Sequence, residues 1–191
     1  MDETPTSRML SWARNSTIYR LERRMMTEKQ LFDAIAKKSK QKFEDISETQ
    51  VKALADFAVK FAYELKVLDD VAFAEISTRS AVRSGKSKKA IAFKLASKGI
   101  DGETVVAAVE EVDDLHSAVI FARKRGFGPF RRGDLDEKRK SKELSAFARN
   151  GFSFAVGRRV FDMEREDAEE LLQSASAFGG SMLIEMAGGN R

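Results

Sequence analysis

Apolar residues recur three and four apart along this chain, in short runs set between start and stop signals, and strand-like alternation is hard to find. Thr27 with Gln30, and Ser47 with Gln50, have the spacing of a capping box, in which the first side chain accepts a free helix N–H and the second reaches back. Beyond Ser47, the positions Val51, Leu54, Ala58, Phe61 and Leu65 predict one buried face of a helix running to about Lys66. Asp69, Ser87, Asp101, Asp114 and Ser153 are further candidate N-caps. Gly99, Gly126 and Gly151 stand where a helix leaves through a left-handed residue. The only prolines are Pro5 and Pro129. The predicted helices are mostly about two to four turns long, too short to be stable alone in water, so they must dock in groups.

An internal echo indicates the grouping. KSKKAIAFKLASKGIDGETVVAAV (Lys86 to Val109) and KSKELSAFARNGFSFAVGRRVF (Lys140 to Phe161) share a basic Ser start, an apolar helix, a Gly stop, a polar cap and a second apolar helix. A more divergent copy can be read from Arg24 to Tyr63, with a longer connection over Lys40 to Ile46. Repeats of this size predict an elongated array of three-helix modules, each burying a face against its neighbours.

Composition narrows the chemistry. The 191 residues, 42 % of them hydrophobic, suffice for a core. There is no cysteine and a single histidine, His116, which removes disulfides, Cys/His metal sites, thiol nucleophiles and the usual Ser-His catalysis. No apolar run approaches membrane-spanning length, and Met1 to Ser11 carries Asp2, Glu3 and Pro5 where a signal peptide needs a basic start. The expectation is a cytoplasmic, non-enzymatic protein, monomeric, with no cofactor, metal or membrane partner.

The net charge of +4 is modest but unevenly spread. Asp113 to Phe161 holds 12 basic and 6 acidic residues, whereas Asp162 to Arg191 holds 2 basic and 7 acidic. A basic body with an acidic tail points to a polyanionic partner, the tail being able to compete for the same surface. The sharpest cluster lies between Ser77 and Ile100, where Arg79, Arg83, Lys86, Lys88, Lys89, Lys94 and Lys98 occur without one acid. Arg79 with Arg83, and Lys94 with Lys98, are four apart and share a helix face, a like-charge cost of a few tenths of a kcal/mol that phosphates or a carboxylate-rich groove would offset.

A second candidate is RKRGFGPFRRGD (Arg123 to Asp134), read as a loop in which Arg123, Lys124, Arg125, Arg131 and Arg132 engage phosphates. Phe127 and Phe130 could stack on bases or tuck into their own domain; packing is favoured for Phe127 and the question stays open for Phe130. Arg149, Arg158 and Arg159 extend the basic surface.

Several motifs fail. SAVRSGKS (Ser80 to Ser87) ends like a phosphate-binding loop but lacks its first Gly and a preceding strand. Gly126 and Gly128 begin a dinucleotide fingerprint whose third position is Arg131. Asp69 and Asp70 read as helix-start acids rather than a catalytic pair. His116 has no partner in sequence reach and reads as a surface residue.

LDDVAFAEISTRSAVRSGKSKKAIAFKLASKGID (Leu68 to Asp101) resembles the central repeat of RecX regulatory proteins, with its Leu-Asp-Asp-x-x-Phe-Ala start and Lys-Gly-Ile helix end. FARNGFSFAVGRRVF (Phe147 to Phe161) is similar to that family's closing Arg-x-Gly-Phe-Ser signature. The likeness runs from about Ser16 to Phe161. The first repeat departs from the usual Arg-Ser-x-x-Glu-Leu, having Met25, Met26, Thr27 and Leu31, and the acidic tail is not covered.

The resemblance implies an all-α, curved array of three tandem three-helix repeats: an N-terminal extension over 1–15, repeats over 16–68, 69–112 and 113–161, and an acidic helical extension over 162–191. It implies binding to the RecA–DNA filament, with inhibition of RecA ATP hydrolysis, filament growth and strand exchange, and with single- or double-stranded DNA contacted directly or through RecA. The rival is a helix-turn-helix transcription regulator, which needs base-reading Asn, Gln or Arg at the start of a recognition helix. The helix predicted after Ser153 begins Phe154, Ala155, Val156.

Overall fold

The computed structural model describes residues 3–174. Its helices fall into threes: α1 (Ser7–Leu21), α2 (Glu28–Lys42) and α3 (Glu48–Glu64); α4 (Asp70–Arg83), α5 (Lys88–Ser97) and α6 (Gly102–Val109); α7 (Asp114–Arg125), α8 (Glu137–Arg149) and α9 (Phe154–Phe161). A 3₁₀ turn occupies Gly128–Phe130, residues 165–174 are helical, and no strand occurs among the described residues. The all-α repeat organisation read from the sequence is what the chain adopts.

The local signals act as the spacing requires. Thr27 and Ser47 each close a full capping box with Gln30 and Gln50. Asp69, Ser87, Asp101 and Ser153 accept from the backbone N–H three residues on, and Gly99, Gly126 and Gly151 have φ of +86°, +64° and +86°. Asp114 is not a cap of its own helix: Asp113 takes that place, accepting from Leu115 N. The face of α3 departs from expectation at its end, where Ala62 completes the buried stripe begun by Val51, Leu54 and Ala58 while Leu65 is exposed.

The compact units do not coincide with the repeats. One comprises residues up to Ser77 together with Lys94–Ala108; the other comprises Thr78–Phe93 and everything from Val109 on, so the middle repeat is divided within α4 and α5. In the first unit Ala13, Leu31, Ile35, Leu54, Ala58 and Ala62 form the centre. The expected extension over 1–15 is not separate, because α1 begins at Ser7 and Met9, Leu10 and Trp12 pack on that centre, Trp12 edge-on to Phe43 at 5.3 Å. In the second unit Val119, Phe121, Phe147, Phe152 and Val160 cluster, the phenylalanine rings 5.4–6.0 Å apart. Ala168 is buried in the same cluster, with Met163, Leu171 and Leu172 against it, so the third repeat continues past residue 161. The expectation for Ala175 to Arg191 falls outside the described residues.

One joint recurs in both units. In the first, Thr27 Oγ1 accepts from Gln30 N and donates to the Lys98 carbonyl, 2.6 Å away at the end of α5, while Glu28 N donates to Asp70 of α4 at 2.9 Å. In the second, Ser87 Oγ accepts from Ala90 N and donates to the Asn150 carbonyl just past α8 at 2.7 Å, while Lys88 N donates to Asp114 of α7 at 2.6 Å. Each doubled aspartate is thereby split between two tasks: Asp69 and Asp113 cap their own helices, and Asp70 and Asp114 cap the middle helix of the preceding repeat. Four otherwise orphaned N–H groups are satisfied by this arrangement. Burial pushes the Asp70 carboxyl up, against the downward pull of the Glu28 N–H.

Glycine is required where the 3₁₀ turn meets α9. Gly128 has φ +51°, and a Cβ there would lie 2.6 Å from the Val160 carbonyl oxygen. Gly128→Ala is expected to cost about 1–3 kcal/mol, from backbone strain and the displaced chain together. A urea midpoint unchanged from wild type would show that the turn shifts freely.

Candidate polyanion-binding surface

The basic face of the second unit is assembled from segments some forty residues apart. Helix α4 ends at Arg83 and the chain turns through Gly85, whose φ of +72° and close approach to the backbone of Phe121 leave no room for a side chain. That approach sets the end of α4 against α7, and Lys124 Nζ donates to the Arg83 carbonyl at 3.2 Å. Arg79, Arg83 and Lys86, in and after α4, are exposed, as are Arg123, Lys124 and Arg125 at the end of α7. Segments that carry two basic clusters separate in sequence thus meet at this contact.

The segment after α7 is more ordered than a loop. Arg123, Lys124 and Arg125 form the last turn of α7, the end of a helix that cations favour, and Gly126 closes it. Phe130 is buried and Phe127 is half-buried against Phe121 at 6.1 Å, so both rings pack within their own unit, which answers the question left open for Phe130.

Arg131 is a second correction. Its guanidinium makes a two-pronged pair with Glu143, Nε to Oε1 at 3.0 Å and Nη2 to Oε2 at 2.8 Å, and lies over the Phe161 ring at 4.7 Å. It holds the 3₁₀ turn to α8 and α9 and is withdrawn from the binding surface. Sequence reasoning counted it as one cation among five because the acid that claims it is twelve residues away on another helix. Glu143 also accepts from Gly128 N at 2.9 Å and from Arg139 Nε at 3.2 Å. Burial pushes the Glu143 carboxyl up, but these bonds, led by Arg131, outweigh it and hold the group below the ordinary range; the same pairing pushes Arg131 up.

The other candidates divide. Lys89 is exposed, with its Cβ beside the Asn150–Gly151 turn that follows Arg149, also exposed. Lys88 is half-buried, its Nζ donating to the Glu110 carbonyl at 2.8 Å, and so serves the fold. Lys94 and Lys98 belong to the first unit, and Lys98 is half-buried with its carbonyl engaged by Thr27. Arg158 is paired with Asp162, and Arg159 lines a groove with Asp167 and Glu170, so the acidic stretch partly neutralises α9. Arg132 is exposed in a recess that also contains Arg139 and Arg165. Sequence reasoning missed these last two: Arg139 sits in a Lys-Arg-Lys run, and Arg165 was hidden within the acidic tail. His116 is half-buried rather than superficial, and no cluster suited to a metal ion occurs among the described residues. No helix among them is long and apolar enough to cross a membrane.

Comparisons with known proteins agree on one kinship. Residues 69–109 match the family model for the second three-helix domain of RecX. The chain is 64 % identical over 171 residues to the regulatory protein RecX of Agrobacterium fabrum, covering 90 % of this chain and 93 % of that one. It is 41 % identical over 102 residues to the regulatory protein RecX of Myxococcus xanthus, covering 50 % of this chain and 54 % of that one. The crystal structure of RecX from Lactobacillus salivarius superposes with a TM-score of 0.62 at 19 % identity, over 81 % of this chain and 96 % of that one. A second crystal structure of a regulatory protein RecX gives a TM-score of 0.62 at 22 % identity, over 81 % and 72 %.

Proposed function

We propose, from the premise that this chain belongs to the RecX family of regulatory proteins, that it modulates the RecA recombinase by docking its basic face on the RecA–DNA filament. The observation that supports the proposal is the contact between the α4 and α7 ends, where Lys124 Nζ donates to the Arg83 carbonyl, together with the exposure of Arg79, Arg83, Arg123 and Arg125. The mechanism is obstruction rather than catalysis. A basic face lying across neighbouring RecA protomers and nearby phosphates opposes the conformational cycle that ATP hydrolysis requires, and so slows hydrolysis, filament growth and strand exchange. The protein works in the cytoplasm as a monomer, and its contribution to binding weakens as salt screens the contact.

The test is RecA's single-stranded-DNA-dependent ATP hydrolysis titrated with this protein, with free-DNA binding followed in parallel at the same salt. Inhibition well below the concentration that coats DNA is expected. The double variant Arg79→Glu/Arg83→Glu, folded by circular dichroism, is expected to need about tenfold more protein for half-inhibition, since a factor of ten is about 1.4 kcal/mol of binding. Unchanged inhibition by that variant would remove the end of α4 from the docking surface. No response of RecA to the wild-type protein would end the reading altogether.

A further inference from the structure

The second unit contains a recess of about 620 Å³ whose wall carries Arg123, Lys124, Arg125, Arg132, Arg139 and Arg165. Glu169 is the one carboxylate among the lining residues, and Phe130 supplies its apolar part. Two of the six cations are already balanced: Arg139 is held by Glu143, and Arg165 by Glu169 at 3.0 Å. Lys124 spends one hydrogen bond on a neutral carbonyl, and Arg125 lies over the Phe121 ring at 5.8 Å. For Arg123, Lys124, Arg125 and Arg132, no ion pair with a carboxylate forms among the described residues. Four uncompensated positive charges thus share one concavity, and the negative end of α7 offsets only about half a charge. Such a concentration is unfavourable without an anion in place and strongly favours one of high charge density.

We infer that this recess is a binding site for a run of phosphates, engaging two or more at once. Three of the four unbalanced cations are arginines, whose planar forks suit phosphate oxygens. Arg139 and Arg165 are pre-set at the rim, the first by Glu143 and the Asp134 carbonyl, the second by Glu169 and its position 5.8 Å from the Phe130 ring, so little side-chain freedom is lost on binding. The site includes a residue from the helical segment 165–174, outside the three repeats defined by sequence. It deepens the docking reading, with which it shares Arg123, Lys124 and Arg125, and the run of phosphates has two chemical sources: a free polyphosphate chain, or the backbone of a nucleic-acid strand.

The experiment is calorimetric titration of the full chain with sodium tripolyphosphate, followed by competition against a fluorescent oligothymidylate at the same salt. Two variants accompany it. Arg123→Glu/Arg132→Glu alters exposed recess residues, and Lys37→Glu/Lys60→Glu applies the same charge change to exposed residues of the first unit. Saturable tripolyphosphate binding that weakens at least about tenfold in the recess variant and less than about twofold in the control is the expected result. Displacement of tripolyphosphate by the oligonucleotide would then identify a strand backbone as a source, and lack of displacement a free polyphosphate. Tripolyphosphate that binds wild type and recess variant alike, or binds neither, overturns the site whatever the oligonucleotide does. The outcome is independent of the RecA assay, so the two readings can fail separately.

Discussion

Glu143→Ala is expected to lower the unfolding free energy by about 3–5 kcal/mol, the range for breaking one side of a buried ion pair. The carboxylate is 1 % exposed and receives bonds from Arg131, Gly128 N and Arg139; its removal strands the Arg131 guanidinium, only 16 % exposed, and a backbone N–H in a turn that cannot reach water easily. The effect has a pH signature. The folded-state Glu143 carboxyl sits below its unfolded value of about 4.3, so its stabilising contribution is complete above that value and disappears as pH falls through the folded one. Urea titrations of wild type and of the shape-preserving Glu143→Gln should therefore differ most near neutrality and converge in acid. A gap that stays constant with pH would mean that the ion pair is not what the carboxylate contributes.

Ala168→Asp is expected to be comparably severe, on the order of 3–5 kcal/mol, because it places an unpaired carboxylate inside the second unit's core. Ala168 is 0 % exposed and clusters with Ala118, Phe147 and Val160. For a chain of this length the loss corresponds to a drop in Tm of roughly 10 °C. Glu170→Asp, an exposed change on the same helical segment, should stay within about 0.5 kcal/mol. If Ala168→Asp melts with the wild type, the segment 165–174 does not close the core.

How far the sequence was readable follows the range of the interaction. Thr27, Ser47, Ser87, Asp101 and Ser153 announce helix starts because a cap binds an N–H three residues away, within the window that spacing samples. Asp114 escaped by one position for the opposite reason: its carboxylate serves Lys88, twenty-six residues back, and local pattern cannot distinguish it from Asp113. Arg131 read as a ligand because its neighbours are basic, and Glu143 enters only when α8 folds back. Arg165 sat among acids and was given their character, although its guanidinium meets Phe130 on the basic recess. The division of the middle repeat between two units was not visible either, since the echo of Lys86 to Val109 in Lys140 to Phe161 reports likeness between segments and not which of them share a core.

The joint made by Thr27 and by Ser87 depends on a hydroxyl, a group that accepts from its own helix and still has a hydrogen to give. Helix α8 opens instead on Asp136, whose carboxylate accepts from Arg139 N at 2.6 Å and carries no hydroxyl to give. Replacing Thr27 or Ser87 by Asp would therefore keep the helix start capped while giving up the bond to the carbonyl of Lys98 or Asn150.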